Sequence, residues 1–211
     1  MICVSIGDRR QLDAALGSGA DLLELRLDLL KASPDELFAA LPAGTRTVVT
    51  CRPGSYSTEE RAALLIRAVE LGAAYVDLEL DSPEELAGPV RAAASGEGCA
   101  VIISHHDYGS TPGRNELGRI LELCYTKGGA VAKIATMVQN REDVLNLLSL
   151  HELSGRKVIL GMGAMGRITR IAGPYLGSEF TFAAPGSGNE TAPGQLEILQ
   201  LKAIYKMIDA L

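Results

Sequence analysis

The sequence has no run of lysines and arginines to offset a net charge of −6. A chain that is acidic and has no basic block offers no electrostatic footprint for a phosphate backbone or an anionic bilayer. Nucleic acid and membrane are thereby excluded as main partners, and a small-molecule substrate is favoured. Long hydrophobic runs are missing as well. The stretch from Met1 to Arg10 reaches charge after a short apolar segment, unlike a secretory leader or a membrane anchor, so the expected compartment is the cytoplasm. Paired cysteines are also absent. Cys3, Cys51, Cys99 and Cys124 lie far apart without a C-x-x-C pair, and the first three sit in apolar strand-like runs. That is the setting of reduced core thiols rather than of a disulfide framework or a zinc site. No Pro/Ser-rich linker or low-complexity segment interrupts the chain, which is expected to form one domain over 1–211.

What is present is an ordinary globular composition, 47% hydrophobic and 22% charged over 211 residues. A chain of that length buries roughly two thirds of its unfolded surface in a single core. Short β-type runs alternate with longer helical periodicity throughout. The expected strands are Ile2–Ile6, Asp21–Leu27, Thr47–Arg52, Ala74–Leu80, Ala100–His105, Ala130–Ala135, Lys157–Gly161 and Glu179–Phe182. Between them, Ser33, Ser57 and Ser82 each precede acidic residues in the manner of a helix start, and Gly72 fits a helix end. Repeated βα units in this length predict an α/β fold of the (β/α)8 TIM-barrel type, with an open doubly wound sheet as the alternative.

Parallel strands are buried on both faces and should be continuously apolar, yet two of them are not. In Leu23-Glu24-Leu25-Arg26-Leu27-Asp28 and in Val76-Asp77-Leu78-Glu79-Leu80 the charges share one face. An antiparallel sheet with a wet face gives the same pattern. With helices covering the outside of a barrel, however, the charged face must point inward near the mouth, where active sites of this fold lie.

Several residues are then candidates for chemistry. Lys133 stands alone among small and apolar neighbours in Ala130-Val131-Ala132-Lys133-Ile134-Ala135. A desolvated lysine becomes a neutral nucleophile toward carbonyls; the ordinary alternative is a snorkelling or ion-paired side chain. Ser104-His105-His106-Asp107 closes the neighbouring strand, and His106, nearer the loop, is the better placed proton carrier. A metal reading fails on ligand count, since adjacent strand positions point to opposite faces and no third histidine joins them. Glu79 ends the fourth strand, where a carboxylate can orient the imidazole; its structural alternative, a salt bridge with an arginine at the mouth, does not exclude that role. Arg26, Arg52 and Arg170 converge on one opening in an acidic protein, which predicts an anionic substrate. Gly161-Met162-Gly163-Ala164-Met165-Gly166 matches a dinucleotide fingerprint but falls in the second-to-last unit, and is expected to be a flexible glycine turn. The polar stretch from Ala184 to Gln195 is expected to be a lid.

Six stretches in order along the chain resemble the type I 3-dehydroquinate dehydratases: Glu24-Leu25-Arg26-Leu27-Asp28, Asp77-Leu78-Glu79-Leu80, Ser104-His105-His106-Asp107, Ala132-Lys133-Ile134-Ala135, Arg170-Ile171-Ala172-Gly173 and Ala192-Pro193-Gly194-Gln195. The resemblance implies the third step of the shikimate pathway, loss of water from 3-dehydroquinate to give 3-dehydroshikimate, without metal or dissociable cofactor. It implies that Lys133 forms a Schiff base with the C3 ketone, that His106 removes the C2 proton and protonates the departing C1 hydroxyl, and that Glu79 holds the imidazole. Glu24, Arg26 and Arg52 would hold substrate hydroxyls, Arg170 the carboxylate, Thr191 and Gln195 the substrate from the lid, with Ser5 as a further polar contact. A homodimer is also implied. Thr191 and Tyr108 stand where the family commonly has serine and phenylalanine, and the Gly161–Gly163 turn replaces a serine-flanked methionine segment. The chain begins directly at its first strand, without the N-terminal hairpin of longer members, so the barrel floor must be closed another way. An aldolase-like lyase would share the lysine but not the His106 and Arg170 arrangement, and a noncatalytic metabolite-binding barrel would form no imine.

Overall fold

In the computed structural model, which describes residues 1–210, strands and helices alternate. The strands are β1 (Ile2–Ile6), β2 (Leu22–Arg26), β3 (Thr47–Thr50), β4 (Tyr75–Glu79), β5 (Ala100–Asp107), β6 (Val131–Met137), β7 (Lys157–Met162), β8 (Thr181–Ala184) and β9 (Leu196–Glu197). The helices are α1 (Leu12–Gly17), α2 (Leu27–Leu30), α3 (Pro34–Ala39), α4 (Thr58–Glu70), α5 (Glu84–Glu97), α6 (Arg114–Thr126), α7 (Arg141–Ser149), α8 (Gly163–Ala172) and α9 (Ile198–Asp209). Among the described residues no helix is long and apolar enough to cross a membrane.

All nine strands join one parallel sheet in the order β7-β6-β5-β4-β3-β2-β1-β8-β9. This excludes the antiparallel alternative. The sheet is curled and TIM-barrel-like, but the expected eight-fold ring is not reproduced as one continuous ladder. At the seam, Glu179 N donates to Lys157 O at 2.8 Å and Ile159 N to Ser178 Oγ at 3.4 Å. The two-residue β9, which was not expected, adds to β8 through Ala183–Leu196 and Ala184–Glu197.

The period-two alternation of the strands divides the core into two layers. Val4, Leu23, Leu25, Val49, Val76, Leu78, Ile103 and Ile134 face the helices. Cys3, Leu22, Val48, Tyr75, Ile102, Val131, Val158, Phe180 and Phe182 face one another inside the curl. This interior layer takes residues from β7 at one side of the seam and from β8 at the other. All four cysteines are free and buried.

The sheet floor is closed by side chains. Tyr75 and Phe180 meet edge to face at 5.4 Å, as do Phe180 and Phe182. Beneath them Tyr75 donates to Glu179 at 3.0 Å, and Glu179 accepts twice from Arg156, at 3.1 and 2.6 Å. This assembly fills the interior at the end of the sheet opposite the strands' C-termini.

Helix starts follow local chemistry at two of the three expected positions. Ser33 accepts from Glu36 N, and Ser57 forms a reciprocal capping box with Glu60. At the third, α5 begins one residue later than the serine implies. Pro83 is its cap and the buried Ser82 hydroxyl has no partner. Gly72, with φ of 91°, ends α4 by taking the left-handed conformation in which its N–H reaches Val69 O.

The glycine segment after β7 is not the flexible turn expected. Gly161 and Met162 are strand and Gly163 already opens α8, so the strand runs into the helix without a loop. The glycines serve close approach: a Cβ on Gly166 would lie 2.4 Å from the Gly161 carbonyl carbon. Gly166→Ala is therefore expected to cost ~3 kcal/mol, lowering Tm by roughly 6–12 °C for a chain of this size. A thermal scan with an unchanged Tm would show that the backbone yields there.

Candidate active site

Inward-facing polar residues accumulate toward the C-terminal ends of the strands. One cup, open to solvent, is lined by Ser5, Glu24, Arg26, Arg52, His106, Lys133, Arg170, Thr191 and Gln195, together with Tyr108, Leu160, Met162 and Phe182. Every binding position proposed from the sequence lines it, as do the lysine and the chosen histidine. Strand parity explains the selection: Ser104 and His106 share the interior face of β5, which turns His105 toward the other face. Arg170 arrives from α8 rather than from a strand, and Thr191 and Gln195 from the loop between β8 and β9.

Lys133 is 5% exposed. Its Nζ lies 4.4 Å from the centre of the Phe182 ring and donates to Asp77 Oδ2 at 2.9 Å. The other Asp77 oxygen accepts from Ser104 Oγ at 2.6 Å and lies 3.0 Å from Arg52. Burial alone drives the Asp77 carboxyl up, but Arg52 and then Lys133 outweigh it and hold the group well below the usual carboxylate range. Asp77 was not singled out from the sequence. The signal was available: it shares a face with Glu79 and sits one pleat deeper.

His106 stacks with the exposed Tyr108 ring, 6.2 Å centre to centre. Burial first, then the positive charges of Arg52 and Lys133, push its imidazole down to about 2, so the ring is neutral at physiological pH. The unfolded imidazole titrates near 6.5. Acidification below that value therefore protonates the unfolded chain in preference to the folded one, and His106 withdraws stability as pH falls. Denaturant midpoints of His106→Gln should accordingly drop less than wild type between pH 6.5 and about 4. Parallel losses in the two proteins would rule this out.

The three arginines are not equivalent. Arg26 is held by both oxygens of Asp28, at 3.0 and 2.6 Å, and Arg52 by Asp77 and Ser104. Arg170, 1% exposed, has no acidic partner among the described residues. Its Nη1 donates to Phe182 O at 3.4 Å, its Nε is unpartnered, and burial pulls it down to about 10. An unpaired buried guanidinium is costly, and a carboxylate is the ligand that satisfies it in one plane. Glu24 accepts from Ser5 and from Thr50. Gln195 accepts from Thr191 N at 2.8 Å and donates to Thr191 Oγ1 at 3.2 Å and to Ser5 Oγ at 3.5 Å, tying the loop over the first strand. Gly163 N donates to Pro193 O at 3.2 Å and fixes the loop against the start of α8.

Set beside known proteins, residues 2–211 match the family described as Type I 3-dehydroquinase. The chain belongs to the type I 3-dehydroquinase family. It is 37% identical over 200 residues to the 3-dehydroquinate dehydratase of Methanocaldococcus jannaschii, covering 90% of this chain and 88% of that protein. Among solved structures, it is similar to the 3-dehydroquinate dehydratase of Aquifex aeolicus at a TM-score of 0.86 with 29% identity, each chain covered in full. The enzyme of the same name from Geobacillus kaustophilus gives a TM-score of 0.86 with 27% identity, covering 99% of this chain and 91% of that one.

In this dehydroquinase one expected contact is replaced. No hydrogen bond joins Glu79 to His106. The Glu79 carboxylate accepts from Arg61 at 3.3 Å and lies 3.6 Å from Arg52, while Arg61, rising from α4, also donates to Cys51 O at 2.9 Å. The arginine pairing expected for Glu79 is formed, with Arg61 and Arg52 as its partners. Arg61 itself was missed because a buried arginine on an amphipathic helix has the sequence pattern of a solvated one.

Proposed function

We propose that this cup dehydrates 3-dehydroquinate to 3-dehydroshikimate, with Lys133 as the imine-forming residue. The observation that carries the reading is the pairing, in one cup, of a buried amine on β6 with a buried guanidinium on α8 that has no counter-ion among the described residues. A substrate bearing both a ketone and a carboxylate uses both groups. The chain is a hydro-lyase of the shikimate pathway, as its family and its relatives of that name indicate.

In this scheme Arg170 takes the carboxylate and orients the ring. Glu24, Arg26, Arg52 and Ser5 receive hydroxyl groups, and Thr191 and Gln195 close over them. Lys133 adds to the C3 ketone, whose oxygen leaves as water, and the resulting iminium draws electron density from the neighbouring carbon. Neutral His106 takes the C2 proton, the electron pair passes to nitrogen, and its return expels the C1 hydroxyl, which His106 protonates. Glu79 acts at one remove, by fixing Arg52 and Arg61 at the rim. No metal or dissociable cofactor enters any step.

The architecture that serves this chemistry is a closed (β/α)8 barrel formed as one domain. Support comes from the interior layer shared by β7 and β8 and from the Glu179–Lys157 backbone bond. A homodimer working in the cytoplasm completes the proposal. The decisive experiment is mass spectrometry after borohydride reduction in the presence of 3-dehydroquinate. A substrate-dependent adduct on the peptide holding Lys133 is expected, and an unmodified lysine under turnover conditions would overturn the reading.

A further inference from the structure

We infer that Asp77 is the counter-ion of the iminium: its Oδ2 faces Lys133 Nζ across 2.9 Å and keeps the proton on the substrate-bound nitrogen during elimination. The inference rests on the imine assigned to Lys133. An imine withdraws electrons from the adjacent carbon only while its nitrogen is protonated. Counted from the ammonium form, the C–N bond forms as the C=O bond breaks, two of the three N–H protons leave with the carbonyl oxygen as water, and the third remains on a cationic nitrogen. In a cup walled by Phe182, Leu160 and Met162, that cation loses its proton readily unless an anion stands against it. Through the rest of the cycle the proton stays on nitrogen. The C2–H electron pair moves to nitrogen and returns to break the C1–O bond, so the neighbouring carboxylate meets alternating positive and neutral charge without itself changing protonation.

Asp77 is built for a fixed negative charge. Ser104 Oγ and Arg52 hold Oδ1, leaving Oδ2 for the lysine, and its side chain is inaccessible to solvent. Arg52 and then Lys133 keep the carboxylate ionised against the cost of burial, and the Ser104 hydrogen bond adds to them. The other groups facing the pair are committed differently: Cys3 from β1 is buried and its thiol is pushed up, Glu24 from β2 accepts from Ser5 and Thr50, and Glu79 is held by Arg61 and Arg52. His106 from β5 is neutral and Arg170 from α8 awaits an anion. No other carboxylate hydrogen-bonds to Lys133 among the described residues.

The test is the pH dependence of kcat, which reports the enzyme–substrate complex. In Asp77→Asn the alkaline limb is expected to move to lower pH by about one to three units, the usual influence of an opposite charge within a few ångströms. KM should change less than kcat, because Arg170 is untouched and Arg52 keeps Ser104 and Glu79 when it loses the Asp77 charge, and borohydride trapping at the wild-type optimum should fall in parallel with kcat. An alkaline limb coincident with wild type overturns the inference. Should Asp77→Asn fail to fold, Ser104→Ala removes one of the two supports of Oδ1 and should move the same limb in the same direction by up to about one unit; an unmoved limb there is equally fatal. Absence of the wild-type adduct would instead sink the imine reading itself, so the two failures are distinguishable.

Discussion

Lys133→Ala is expected to abolish turnover, a fall of at least about 10⁴-fold on the scale of deleting a covalent nucleophile, while leaving the protein folded. The amine is the group in this cup placed to bond a ketone, so no neighbour can take over the covalent step. The fold should survive because the removal strands no buried charge: Asp77 keeps Arg52 and Ser104 on its other oxygen. What is lost is the contact beneath the Phe182 ring and the space the side chain filled, worth ~1–3 kcal/mol. Far-UV circular dichroism should match wild type, and borohydride with 3-dehydroquinate should leave the variant's mass unchanged. Residual turnover within about tenfold of wild type would require a non-covalent route.

The sequence was most legible where geometry is dictated by alternation. Glu24, Arg26, Asp77 and Glu79 could be assigned to the interior because period two leaves no other place for a charge when helices cover the outside. The same parity separates His106 from His105. It did not distinguish depth along a face, which is why Glu79 was preferred over Asp77 as the working carboxylate, although the deeper residue is the one that reaches Lys133. Nor did it show what each arginine is already bonded to. Arg26 and Arg170 look alike as letters, yet one is neutralised by Asp28 two residues away and the other by no acidic side chain among the described residues. The glycines after β7 were misjudged because flexibility and close packing use the same residue; a backbone contact from Gly166 to Gly161 leaves no trace in composition. Roles drawn from the family resemblance, such as Gln195 over the cup, lay beyond spacing alone, since they depend on a loop that returns to Ser5 across 190 positions.

Arg170→Met should raise KM for 3-dehydroquinate by about a hundredfold or more, the loss expected when a charge-assisted, planar carboxylate contact worth roughly 2.7 kcal/mol is removed. The same substitution should raise Tm. In the unliganded protein the guanidinium is 1% exposed, has an unpartnered Nε and holds one long hydrogen bond to Phe182 O. Its charge therefore opposes folding, and an unbranched apolar side chain of similar length against Phe182 relieves that cost. Opposite signs for binding and stability are what separate a ligand-directed charge from a structural one. A guanidinium needed to hold α8 against β8 would lower Tm when replaced, and one irrelevant to substrate would leave KM alone. The stored cost also bears on specificity. Part of the carboxylate's binding energy relieves a destabilised cation, so a substrate analogue lacking the carboxylate gains nothing at this position and meets a buried charge it cannot satisfy. Thermal shift with and without a carboxylate-bearing substrate analogue, in wild type and Arg170→Met, measures both halves together: the variant should melt higher alone and respond less to that ligand.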